Sequence, residues 1–179
     1  GVYSEIVDSS STAQALRNYS GIILSGSPFS VSDPDRPTCD PDILKTGKPV
    51  LGLCFGHQLM SHMLGGIVKS GNTREYGIAM MDIIKKNTLF KKLKSPEQVW
   101  MSHGDSVRKL PKDFYQIGAS PSAVAAIRHQ NRPLYLLQFH PEVHHTEYGM
   151  DIIKNFLFQV AKLVPDWNMR SFIEQTIED

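Results

Sequence analysis

The sequence predicts an α/β fold: a central, mostly parallel sheet flanked by helices, with additional antiparallel strands at its edge. Three observations carry this expectation. In the first third of the chain, short apolar runs alternate with segments of helical spacing, the rhythm of strand, helix, strand, helix. Residues 49–53 (Pro-Val-Leu-Gly-Leu) form a continuous apolar run, which a strand buried on both faces requires. Beyond Gly66 the pattern turns to strand-like segments separated by turn residues, closed by one last helical pattern.

Taken in order, residues 4–7 read as a strand, and Ser11 or Thr12 can cap a short helix through Ala13, Ala15 and Leu16. Residues 21–24 are a second strand, ending in the small-residue loop Ser25-Gly26-Ser27-Pro28. Prolines and polar residues then lead to a short helix over 40–45. The strand at 49–53 runs into Cys54, and Gln58, Leu59, Met60, Met63 and Leu64 continue at helical spacing up to the stop signal Gly65-Gly66. Strands are expected at 67–68, 78–84, 98–102, 124–128 and 134–139, the last two joined by a turn at Asn131-Arg132-Pro133. Met150, Ile153, Phe156, Leu157, Val160 and Ala161 place a helix over 146–163 against the sheet.

Composition narrows the function. With 179 residues, 41% hydrophobic and 21% charged, the chain can bury one sizeable core and reads as one main domain. Its 19 basic and 18 acidic side chains leave a net charge of +1, so neither nucleic acid nor a membrane is an expected partner. The lysines at 85, 86, 91, 92 and 94 read as a solvated face. No apolar run reaches membrane-spanning length, and no signal peptide is expected. Two cysteines, Cys39 and Cys54, do not make a disulfide framework, and a reduced, cytoplasmic protein is expected.

The chemistry concentrates at Cys54, flanked by Gly52 and Gly56 at a strand-to-helix turn. This is the thiol version of the nucleophile elbow: the glycines leave room for a tight backbone, and a helix N-terminus favours the thiolate. Most free cysteines are buried small hydrophobes, so a reactive role for Cys54 needs a base and an orienter elsewhere. His140 and Glu142 supply both. In an extended segment they fall on the same side, so the carboxylate can hold one imidazole nitrogen while the other reaches a thiol. Two other readings stay open at this point: a surface polar pair, and a metal site formed with His144 and His145. No metal is expected, because this histidine cluster lacks partners at recognisable spacing. The loop Ser25-Gly26-Ser27 lacks a phosphate-binding fingerprint. At the carboxyl end of a parallel strand, its N–H groups are placed to face an oxyanion.

The stretches LGLCFGHQ (51–58) and QFHPE (138–142) resemble the two signatures of the class I, or triad, glutamine amidotransferases. Within that family, WMSHGDSV (100–107), TREYG (73–77) and HPEVHHTEYG (140–149) are similar to segments of the glutamine-hydrolysing GMP synthases. The resemblance implies a flavodoxin-like amidotransferase domain over 1–164, lacking the first strand and helix of the family pattern. It implies that residues 165–179 are a linker and the start of a nucleotide-activating synthetase domain not present in this chain. It further implies that Cys54 is the nucleophile, His140 the base and Glu142 the orienter. The backbone N–H groups of Ser27 and Phe55 would form the oxyanion hole, with Gly26, Gln58, Ser102 and His103 around the substrate. L-Glutamine is the implied substrate, and its ammonia would pass to a synthetase domain acting on xanthosine 5′-monophosphate (XMP). ATP and Mg²⁺ are expected only for that domain, with no cofactor in this chain. A homodimer through the full-length enzyme is allowed. Anthranilate, carbamoyl phosphate or CTP synthesis would be alternative destinations for the ammonia. A non-catalytic regulatory module or a cysteine hydrolase of peptides or esters would be alternative classes. Two departures from the GMP synthase pattern are Ser27, where glycine is usual, and His57, where methionine is common.

Overall fold

The computed structural model describes residues 1–167, and for residues 71–74 the backbone alone. The chain segment 168–179, and with it most of the expected linker, lies outside the described residues.

Among the described residues, seven strands form one sheet: β1 (Ile22–Leu24), β2 (Val50–Leu53), β3 (Ile67–Ile83), β4 (Glu97–Lys109), β5 (Phe114–Ala119), β6 (Ala126–His129) and β7 (Leu134–Leu137). Their spatial order is β1-β2-β7-β6-β5-β3-β4. The expectation of a mostly parallel sheet holds at one end only. β1, β2 and β7 are parallel, whereas β7 to β6, β6 to β5, β5 to β3 and β3 to β4 are antiparallel. Connection length explains the split. β6 and β7 are joined by the tight turn at 130–133, which can only reverse the chain, whereas the paths from β1 to β2 and from β2 to β7 are long enough to cross over.

The centre of the sheet follows from the two continuous apolar runs. Every residue of β2 and β7 is buried. Leu51, Leu53, Tyr135 and Leu137 face one layer, which includes Ile152 and Phe156. Val50, Leu134 and Leu136 face the other, with Met60, Leu16, Ile43 and Leu44. Side-chain alternation along each strand thus fills two cores, one on each side of the sheet. Helix α1 (Phe55–Met63) covers one face, and α2 (Gly149–Lys154), continued as a π-helix over Asn155–Val160, covers the other. The helices expected near 13–16 and 40–45 are the 3₁₀ turns Ala15–Asn18 and Pro41–Lys45.

Three expectations are corrected. Residues 4–7 form no strand; Ile6 is fully exposed, and no neighbouring strand supplies ladder partners. The strands expected at 67–68 and 78–84 are the two ends of the single long strand β3. β5 is a strand the sequence did not announce, because Gln116 and Gly118 interrupt its apolar character.

Candidate active site

Cys54 sits between β2 and α1 with φ 50° and ψ −103°, the left-handed backbone of a strained elbow. The turn is this tight because α1 starts almost on top of β1. A Cβ at Gly56 would lie 2.1 Å from the Leu24 carbonyl oxygen, so only glycine fits. The Cys54 N–H is anchored on the Leu137 carbonyl at 2.8 Å, joining the elbow to the end of β7. The next N–H, that of Phe55, opens α1 and has no intrahelical acceptor.

The chain leaves β7 and delivers His140 and Glu142 to the same place. The His140 backbone is held from two sides: its N–H donates to the Trp100 carbonyl at 3.0 Å, and its carbonyl accepts from Thr146 Oγ1 at 2.6 Å. Its ring Nδ1 lies 2.7 Å from Glu142 Oε1. Hydrogen bonding to Cys54, and then to Glu142, outweighs burial and pushes His140 up to about 10. Burial raises the Glu142 carboxyl, but hydrogen bonds from His140 and from its own backbone N–H hold it below the ordinary value. These contacts favour the imidazolium, so a proton leaving the thiol is received by an imidazole poised between thiol and carboxylate.

These groups open onto a cavity of about 790 Å³. Gly26, Ser27, Gln58, Ser102 and His103 line it as well, so eight of the nine residues singled out from sequence share one pocket. The ninth, Phe55, buries its ring against Val31 and Leu59, and only its backbone is placed beside Cys54. Gly26 comes close enough to the base that a Cβ there would lie 3.2 Å from His140 Cε1. The Cys54 thiol donates to the Ser102 carbonyl at 3.3 Å. His103 is turned into the wall, its Nδ1 3.0 Å from the Asp105 carbonyl and its Nε2 3.2 Å from Glu75 Oε2. His144 and His145 do not line the pocket; His145 stacks on Trp100 with ring centroids 4.4 Å apart. His57 is fully buried in α1, and burial, with His103 nearby, lowers it to about 3, so it stays neutral.

Asp105 is a lining residue that the sequence did not single out. Its carboxylate accepts from Ser30 Oγ, in the loop after β1, and from Ser70 Oγ of β3 at 2.8 Å, while its carbonyl accepts from Gln58 Nε2 at 2.9 Å. It ties the Ser25-Gly26-Ser27 loop to the sheet. Residues 103–105 lie beyond the strand expected at 98–102, and their place inside β4 follows from the pairing with β3.

A cysteine on an elbow beside a carboxylate-held imidazolium can attack a carbonyl carbon and protonate the group it expels. Among the described residues no group of three or more His, Cys, Asp or Glu side chains is placed to hold a metal ion. No helix there is long and apolar enough to cross a membrane.

The family model "Glutamine amidotransferase class-I" matches residues 1–160. A protein named GMP synthase [glutamine-hydrolyzing] from Syntrophomonas wolfei is 47% identical over 182 residues, covering 99% of this chain and 36% of that protein. The chain thus spans about a third of the length of the curated relatives it matches. Among solved structures, a Thermoplasma acidophilum protein described as a subunit of GMP synthase superposes with a TM-score of 0.76 at 28% identity, over 97% of this chain and 84% of that one. A Thermotoga maritima glutamine amidotransferase, with a TM-score of 0.64 at 23% identity over 92% and 68% of the two chains, shares the fold.

Proposed function

Because the chain belongs to the class I glutamine amidotransferases, we propose that its pocket hydrolyses L-glutamine to glutamate and ammonia through Cys54, His140 and Glu142. The observation that carries this is the meeting, in one pocket, of a cysteine at positive φ with a histidine held 2.7 Å from a carboxylate.

The proton on Cys54 passes to His140, and the thiolate attacks the side-chain amide carbon of glutamine. The resulting oxyanion is received by the N–H groups of Ser27 and Phe55. Such a donor typically contributes about 3 kcal/mol of transition-state stabilisation. His140 then gives its proton to the departing nitrogen, releasing ammonia and leaving a γ-glutamyl thioester. Neutral His140 next takes a proton from water, whose oxygen attacks the thioester. Glutamate leaves, and the thiol is restored. Glu142 stabilises the imidazolium at each stage. Gly26, Gln58 and the 102–103 backbone hold the amino-acid end of the substrate, a zwitterion that needs polar anchors.

The ammonia serves the amination of XMP in GMP synthesis. This reading draws its support from the names of the curated relatives, which match along 99% of the chain. ATP and Mg²⁺ belong in this scheme to a synthetase domain that receives the ammonia, and a homodimer through the full-length enzyme, in the cytoplasm, completes it. Turnover by this chain alone is expected to be slow, since sensing of the acceptor falls to the synthetase domain. A panel of glutamine, γ-glutamyl esters and short peptides tests the chemistry: glutamine is expected to be preferred, and faster hydrolysis of a peptide would overturn the proposal.

The charge on His140 gives a pH prediction. Glu142 favours the imidazolium, so Glu142→Gln lowers the pH at which the proton leaves. In the unaltered protein, kcat is expected to fall as pH rises through about 10, where the general acid is lost. In Glu142→Gln this alkaline limb shifts to lower pH, and the maximal rate drops roughly 10²- to 10⁴-fold. A kcat profile whose alkaline limb does not move would contradict the orienting role.

A further inference from the structure

Gln138 ends the chain's passage through the sheet two residues before His140, and its side chain is fully buried against the nucleophile. Its Nε2 lies 4.0 Å from Cys54 Sγ, and its Oε1 lies 3.4 Å from Gln58 Nε2. The orientation of this amide follows from its neighbours. The carbonyl oxygen of Asp105 can only accept, so the end of Gln58 that approaches it at 2.9 Å is the NH₂ end. That same NH₂ faces Gln138, which must offer it the oxygen. The NH₂ of Gln138 is therefore turned to the sulfur.

The sulfur needs such a donor once it ionises. As a thiol, Cys54 donates to the Ser102 carbonyl at 3.3 Å. With its proton on His140, the thiolate faces a carbonyl oxygen with no hydrogen between them, an approach that disfavours the charge. An N–H from the other side offsets it. The separation is long for a hydrogen bond in the resting site, as catalytic hydrogen bonds often are before charge develops.

We propose that Gln138 is a catalytic residue that donates an N–H to the Cys54 sulfur and stabilises its thiolate, with Gln58 fixing the direction of its amide. The proposal rests on Cys54 being the nucleophile, and it reaches beyond the triad because it assigns part of the thiol's activation to a neutral, buried amide.

The test is the pH dependence of iodoacetamide alkylation in the whole chain, with mass spectrometry separating Cys54 from Cys39. Gln138→Met keeps length and burial but has no donor. It is expected to move the Cys54 midpoint up by about one pH unit, a roughly tenfold loss of rate below the midpoint. Gln138→Glu, which turns an acceptor to the sulfur, is expected to move it further in the same direction. A folded Gln138→Met protein with an unchanged midpoint overturns the assignment. A measurement free of core substitution stands beside it. The Gln138 side-chain NH₂ resonances in the unaltered protein should shift when Cys54 is alkylated, and no shift overturns the assignment as well. Failure of the nucleophile reading has a different signature: Cys54 in the unaltered protein would react no faster than Cys39.

Discussion

Cys54→Ala is expected to lower glutamine hydrolysis by about 10⁴-fold or more while leaving a folded protein. The sulfur is the only atom in the pocket placed to form a thioester, so no neighbouring group can replace it. His140 and Glu142 would remain paired, but a base without a nucleophile can only activate water in a site shaped for direct attack. Stability is expected to change by no more than about 1 kcal/mol. Alanine at φ 50° is no more strained than cysteine, and the substitution removes the sulfur's hydrogen bonds with His140 and with Ser102 at 3.3 Å, and the longer one from Gln138. Steady-state glutamate formation and a thermal melt read both. Retained turnover in the variant would remove Cys54 from the mechanism.

Gly56→Ala is expected to produce the largest loss of stability of any single methyl addition at the site, roughly 3 kcal/mol or more. The added carbon would meet the Leu24 oxygen at 2.1 Å, the Leu24 carbonyl carbon at 2.8 Å and the Leu24 Cβ at 3.0 Å. Two of these atoms are backbone, so no rotamer change relieves the clash. Either α1 lifts away from β1 or the β1–β2 pairing yields. The melting temperature should fall by about 6 to 12 °C, and Cys54 should lose its enhanced reactivity, because the elbow that presents it is built on this close approach. A shift of less than about 2 °C would mean that the helix does not start so close to the strand.

What could be read from the sequence was what is local. The elbow needs only an apolar run, a cysteine between two glycines and helical spacing after it, all within 16 residues of one another. β2 and β7 were legible for a similar reason: strands buried on both faces are written as unbroken apolar runs. The direction of the remaining strands was not, because it depends on which distant segments pair. β4 carries Gly104 and Asp105, poor strand formers, and is held as a strand by its pairing with β3. The groups behind the triad were hidden in the same way. Asp105 meets Ser30 across 75 positions, and Gln138 meets Cys54 across 84. No spacing rule spans such distances. His140 and Glu142 stood out only because two positions apart in an extended segment is itself a geometry.

Whether Cys54 is the nucleophile of a glutamine site can be read by treating the protein with a diazo-ketone analogue of glutamine, digesting it and locating the adduct by mass spectrometry. A single modification is expected, on Cys54, suppressed by added glutamine. Modification that falls on Cys39 instead, or labelling of Cys54 that glutamine does not slow, would contradict that role.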